Sequence, residues 1–222
     1  MSAPPVKLVG MFDSPYVRRV ALSLAQLEVE FEHLPWSVGQ DQMRIRELNP
    51  LGRVPVVVLP TGEVLIESSI ILDWFDEQAG PERRLLPAAG APRRAVQDWL
   101  ALTTGALDKG IQIVYDAVFK PAEKLHEPWL QRCREQTGGA LAELDRRCAE
   151  RTGAPWLVGE SISQTDITLA SLITYLRDAA GFELSAHPAL RQRLERLESL
   201  PLFVRYYVPF DAPVPTTPEA RA

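Results

Sequence analysis

Two regimes of hydrophobic spacing predict an α/β unit followed by an all-α unit in this chain of 222 residues. Up to residue 79, short β-branched runs alternate with amphipathic segments. Beyond residue 92 only three- and four-residue apolar spacing persists. The stretch Gly80 to Pro92, rich in proline and glycine, separates the two. The predicted division is therefore residues 1–80, a linker at 81–91, a helical unit at 92–208 and a Pro-rich tail at 209–222.

The first unit reads strand, helix, strand, helix, strand, strand, helix. The apolar run Val6 to Met11 is its first strand. Val17, Val20, Ala21, Leu24 and Leu27 then recur at helical spacing behind Ser14-Pro15. Proline suits the first turn of a helix, where no backbone N–H is needed. Ser14 should thus sit at a strand-to-helix junction, beside free N–H groups and the positive end of the helix dipole. It is either a plain N-cap or part of an anion-holding site. Further on, Asn49-Pro50-Leu51-Gly52-Arg53-Val54-Pro55 is a turn entering the run Val56 to Val58, with Pro55 where a missing donor is tolerated. A turn at Pro60-Thr61-Gly62 leads to a short strand, Val64 to Ile66. Glu67-Ser68-Ser69 opens a helix with Ile70, Ile71, Trp74 and Phe75 predicted on one side. Alternation followed by a hairpin implies a mixed sheet.

The second unit is predicted as a bundle. Val96, Leu100, Thr103, Leu107, Ile111, Val114 and Val118 mark one long helix. Leu130, Cys133, Thr137, Leu141, Leu144 and Cys148 mark a second, packed antiparallel to it. The only two cysteines lie on that stripe, as small hydrophobes too far apart along a helix for a disulfide. Ser163 and Asp166 have capping-box spacing, and Ile162 and Ile167 stand at the positions of a hydrophobic staple. They open a helix apolar around much of its circumference, the expected centre of the unit. Ser163, Asp166 and Pro55 are read as structural.

Composition narrows the function. A formal charge of −5 offers no reason to expect nucleic-acid binding. No apolar stretch approaches the ~20 residues of a membrane span, and the start has no secretory core, so a cytoplasmic location is expected. His33, His126 and His187 are scattered, without metal-ligand spacing. No G-x-S-x-G, G-x-G-x-x-G or P-loop motif occurs. The five tryptophans are expected in the core or between the two units, and Arg18 and Arg19 as structural or surface charges.

Ser14-Pro15-Tyr16, Asn49 to Pro55 and Glu67-Ser68 together, in order and spacing, resemble the cytosolic glutathione S-transferase family, in its serine-type Ser-Pro-aromatic form. That resemblance covers roughly residues 6 to 208. It implies an α/β thioredoxin-like N-terminal domain plus an all-α C-terminal helical bundle domain. It also implies glutathione as co-substrate, no metal, a small electrophile as partner, a homodimer and a detoxifying role. Residue by residue, Ser14 would steer the glutathione sulfur. Val54, before a cis Pro55, would pair with the tripeptide backbone. Glu67 would meet the γ-glutamyl ammonium and Ser68 its carboxylate, Arg53 the glycyl carboxylate, and Gln40 would add a polar contact. Tyr115 would line the acceptor pocket. On the residues alone, Arg53 reads equally as a solvated turn residue, and Glu67 and Ser68 as helix caps. Two other readings stand beside conjugation: a non-catalytic binding or regulatory protein of the same fold, and a glutathione-dependent isomerase. The Ser-Ser-Cys-Ser element of the isomerases is absent here.

Overall fold

In the computed structural model, residues 4–210 are described; the tail predicted at 209–222 lies outside them from residue 211 onward. The first unit runs β1 (Val6–Val9), α1 (Pro15–Gln26), β2 (Phe31–Leu34), α2 (Gln42–Leu48), β3 (Val56–Val58), β4 (Val64–Ile66) and α3 (Ser68–Ala79). The strands form one sheet in the order β2-β1-β3-β4. β1 and β2 are parallel, joined across α1, whereas β3 pairs antiparallel with β1 and β4. This is the mixed sheet that alternation followed by a hairpin predicts, in the thioredoxin-like form that the resemblance implies. All five predicted apolar positions of α1 are buried.

The second unit is helical: α4 (Gly90–Phe119), α5 (Glu127–Glu150), α6 (Gln164–Asp178), α7 (Pro188–Glu198) and α8 (Pro201–Arg205). The buried residues of α5 are the six of its predicted stripe. Burial pushes the Cys148 thiol up to about 12. Contacts of α4 with α5 pair Asp98 with Arg147 and Ala106 with Thr137, an antiparallel register. α6 is the core of the unit, with every residue from Gln164 to Leu176 buried. Its approach to α4 depends on Gly110, where a Cβ would stand 2.2 Å from Leu176 Cδ2.

Burial departs from expectation at several places. On α3, Ile71 and Phe75 face the core, but Ile70 is 59% exposed and Trp74 half-buried, so the four do not share one face. Of the tryptophans only Trp99 is buried. Trp36, Trp129 and Trp156 lie half-exposed beneath Arg44, Lys109 and Arg196. These rings cover cationic side chains and leave an edge in water. Arg18 and Arg19 are both buried, at 5% and 3% exposure. Of the two readings given for them, structural or surface charges, the structural one holds.

Polar contacts fix the two units against each other. Arg18 on α1 donates to the Ser171 carbonyl on α6 at 2.7 Å. Gln164 Nε2 donates to Ser23 Oγ at 2.9 Å. In the connection, the buried carboxylate of Asp76 on α3 accepts from the backbone N–H of Leu85 and Leu86 at 2.6 and 3.1 Å. Leu85 in turn accepts from Gln164 N at 2.9 Å. The α6 cap is equally complete: Asp166 accepts from the N–H groups of Leu157 and Ser163 and from Ser163 Oγ, each at 3.0 Å. Ser163 supplies the reciprocal bond of the capping box.

Two stability predictions follow from these caps. Ser163→Ala should cost about 1 kcal/mol, and at most roughly 2, read as a lower urea midpoint at unchanged slope. Asp76 has its pKa raised from 3.8 to about 6, because burial outweighs the pull of the two N–H donors and of Arg84. The folded state therefore holds the proton more tightly than the unfolded chain. The resulting stabilisation is full below the unfolded value and is lost as pH rises through about 6, a change of about 3 kcal/mol. Relative to Asp76→Asn, the wild type should lose stability between about pH 4 and 6. Parallel curves for the two proteins would contradict the assignment.

Candidate functional site

The site is assembled around the first turn of α1. Gly10 ends β1 with φ +123°, a region that L side chains rarely adopt. A Cβ there would stand 2.5 Å from Val17 Cγ2 and 2.8 Å from Val54 Cβ. Its absence lets α1 and the loop before β3 meet. The following loop is pinned by Phe12, which stacks on His33 at 3.8 Å between centroids and meets Tyr206 edge-on at 5.3 Å. His33 Nε2 lies 2.8 Å from the Gly10 carbonyl.

Ser14 caps α1 from extended backbone, and its Oγ accepts from Val17 N at 3.4 Å. That bond uses an oxygen lone pair and leaves the O–H free to donate outward. The first turn of α1 has no acidic residue, and Tyr16 N–H is one of its orphan donors. The arrangement can stabilise a small anion beside Ser14.

Across from it, Asn49 shapes the presenting loop. Its amide donates to the Arg53 carbonyl at 2.8 Å and accepts from Leu51 N at 3.1 Å. The Val54–Pro55 bond is cis, as the resemblance implies. Among the described residues the N–H and C=O of Val54 form no hydrogen bond, so both are open to an extended ligand backbone. Arg53 is exposed and free of any salt bridge among the described residues.

Glu67 and Ser68 sit at the start of α3. Glu67 has φ +70°, uncommon for a residue with a side chain. Its Oε1 accepts from Ser68 Oγ, Ser69 N and Ser69 Oγ at 3.3–3.4 Å. The cap reading is thus met by one carboxylate oxygen, while Oε2 stays uncommitted. Ser68 Oγ also accepts from Arg19 at 3.4 Å. Burial lowers the Arg19 pKa to about 10, with Tyr16 and Glu67 acting in the opposite direction. A buried cation thus lies directly behind Ser68, five positions after Ser14 in the chain.

The helical unit supplies the far wall. Tyr16 donates to Asp108 on α4 at 2.8 Å. Its pKa is raised by burial and then by Asp108, with Arg19 and Arg53 opposing. Tyr115, further along α4, is 44% exposed and meets Phe119 edge-on at 5.8 Å. Burial raises its pKa too, and Arg53 again opposes. The field of Arg53 thus reaches both tyrosines. Gln40 is exposed on the turn before α2, with no hydrogen bond tying it to the other residues.

Sequence reasoning missed Gly10 and Asp108; it named Asn49 only as part of its turn and Arg19 only as a structural or surface charge. A glycine directly after an apolar run was the available signal for Gly10. Asp108 joins Tyr16 across 92 residues, and no local pattern marks such a pair. Among the described residues no group of His, Cys, Asp and Glu could hold a metal.

Comparison with known proteins gives a consistent picture. The glutathione S-transferase N-terminal domain model matches residues 8–83, and the C-terminal domain model matches residues 127–199. The chain is 30% identical over 206 residues to the uncharacterized GST-like protein YibF of Escherichia coli, covering 90% of this chain and 97% of that one. It is 28% identical over 170 residues to glutathione S-transferase U1 of Arabidopsis thaliana, covering 77% and 70% of the two chains. Among solved structures, a glutathione S-transferase of Methylobacterium radiotolerans, crystallised with glutathione sulfonate, superposes with a TM-score of 0.85 at 28% identity. That superposition covers 95% of this chain and 98% of the other. With both halves of the fold matched and a relative aligned almost end to end, the chain belongs to the glutathione S-transferase family.

Proposed function

We propose that this protein is a serine-type glutathione transferase, which holds the glutathione thiolate for attack on a small electrophile. The observation that carries the reading is the Ser14 cap: an outward hydroxyl donor on a helix N-terminus, beside a backbone edge free to receive a peptide. A thiol with a pKa of about 8.5 is mostly protonated at neutral pH, and the thiolate is the nucleophile. A donor and a dipole aimed at the sulfur favour the thiolate, and fixed geometry supplies the rest of the acceleration.

Around that centre the tripeptide is held in an extended form. Val54 pairs with it through N–H and C=O. Glu67 Oε2 takes the γ-glutamyl ammonium. Ser68 and the α3 N-terminus take its carboxylate, with Arg19 behind the hydroxyl. Arg53 takes the glycyl carboxylate. The acceptor lies toward Tyr16, Asp108 and Tyr115. A cytoplasmic setting suits the chemistry, since glutathione is the thiol pool that keeps that compartment reduced.

The expected assembly is a homodimer. Leu51, Val64 and Ile70 expose apolar surface at 68%, 36% and 59%. On α4, Val96, Trp99 and Leu107 are buried within the chain, while Leu100 and Leu102 are half-buried. The helical unit adds exposed Phe119 and Val204, at 66% and 60%, so uncovered apolar surface lies on both units.

Ser14→Ala should retain glutathione binding by calorimetry and lose most conjugation of an aryl halide. A hydrogen bond to a charged group is worth ~1.5–3 kcal/mol, or roughly ten- to over a hundred-fold in rate. An unchanged turnover number would sink the role given to Ser14. For the assembly, light scattering at micromolar concentration should return twice the mass of one chain, and 24.8 kDa would refute the dimer.

A further inference from the structure

Tyr16 stands two residues after Ser14, in the first turn of α1, and its hydroxyl donates to Asp108 Oδ1 at 2.8 Å. That bond brings the middle of α4 up to the turn that carries Ser14. Asp108 is exposed, and the Tyr16 hydroxyl is its sole hydrogen-bond partner among the described residues. No salt bridge holds it among those residues either. The neighbouring Lys109 is turned to the Trp129 ring, 5.4 Å from its centroid. Asp108 Oδ2 therefore carries charge with no partner. Tyr115 lies two turns further on the same face of α4, a rise of about 10 Å. An aromatic molecule resting against that ring has the Asp108 carboxylate within reach.

The other fixed charges on this side are of both signs. Burial and then Asp108 raise the Tyr16 pKa, ahead of the opposing pull of Arg19 and Arg53. Asp13, on the loop before Ser14, adds a carboxylate whose field reaches Tyr175 on α6, behind the effects of burial and of Tyr115. With glutathione bound as described above, both cations are engaged. Arg53 meets the glycyl carboxylate, and Arg19 lies behind Ser68 at the γ-glutamyl end. Asp108 then faces the acceptor with no cation of the protein free to cancel it.

We propose that Asp108 sets the charge preference of the acceptor site. It favours an aromatic electrophile that carries a cationic group and disfavours one that carries a carboxylate. This preference presupposes the glutathione reading, since the tripeptide's sulfur places the acceptor. Two opposite unit charges about 5 Å apart gain roughly fourfold in affinity in bulk water, and more in a partly closed cleft.

The probes are three S-conjugates of glutathione, bearing 4-(aminomethyl)benzyl, 4-methylbenzyl and 4-carboxybenzyl groups, titrated into the full chain by calorimetry. All share the tripeptide, so their differences report the acceptor side alone. In the wild type the ammonium compound should bind tightest and the carboxylate weakest, about tenfold or more apart. Asp108→Asn keeps an oxygen for Tyr16 and removes the charge, and should cut that ratio by about fivefold or more. Tyr16→Phe removes the bond and keeps the charge, and should preserve the order, as should Asp108→Glu. Equal affinities in the wild type, a ratio unchanged by Asp108→Asn, or an order lost in Tyr16→Phe would each overturn the preference and leave the glutathione site standing. So would binding of S-methylglutathione without binding of any of the three. Failure of all four compounds to bind would instead refute the glutathione reading, and this preference with it.

Discussion

The geometry of the cleft rests on an atom that is missing. Without a Cβ on Gly10, β1 can end directly against both Val17 and Val54, and the first turn of α1 faces the presenting loop across one residue's width. Any side chain there would meet branched groups on two elements, neither with room to retreat, at a φ that side chains avoid. Ser14, the open edge of Val54 and the start of α3 are brought together by that contact and by the Arg19–Ser68 bond behind it.

A second constraint fixes how the helical unit meets the first. α6 is buried all round, so its N-terminal donors have little access to water and must be capped internally. Ser163 and Asp166 do this, and Asp166 also ties down the incoming loop at Leu157. The same helix receives Arg18, Gln164–Ser23 and the Leu85 bond. Both walls of the cleft are therefore referenced to one rigid rod. The Tyr16–Asp108 bond then closes the cleft from the α4 side.

Where local chemistry dictates structure, the residues were readable in advance. The α5 stripe, the Ser163–Asp166 box and the Ser14-Pro15 start each follow from spacing or capping alone, and each is found as expected. The faces of α3 were not readable. Ile70, Ile71, Trp74 and Phe75 are all apolar, and only the neighbours decide which of them the fold covers. Arg18 and Arg19 were open to two readings, structural or surface, and the choice between them rests on Ser171 and Ser68, far away in sequence. The cleft residues with defined local motifs were named, and those acting through distant partners were not. Gly10 and Asp108 owe their roles to pairs no single segment contains.

The sulfur content of the chain has its own consequence. A protein proposed to hold a reactive thiolate against electrophiles is itself exposed to alkylation by them. Its only cysteines are Cys133 and Cys148, both sealed between the helices of the second unit. Alkylation needs access and a thiolate. Cys148 has neither, with its ionisation displaced to about 12, and Cys133 has no accessible surface. The molecule can therefore bring the reagent to the tripeptide's sulfur while offering no competing thiol of its own. The same absence makes a cysteine introduced on its surface a uniquely addressable position for labelling.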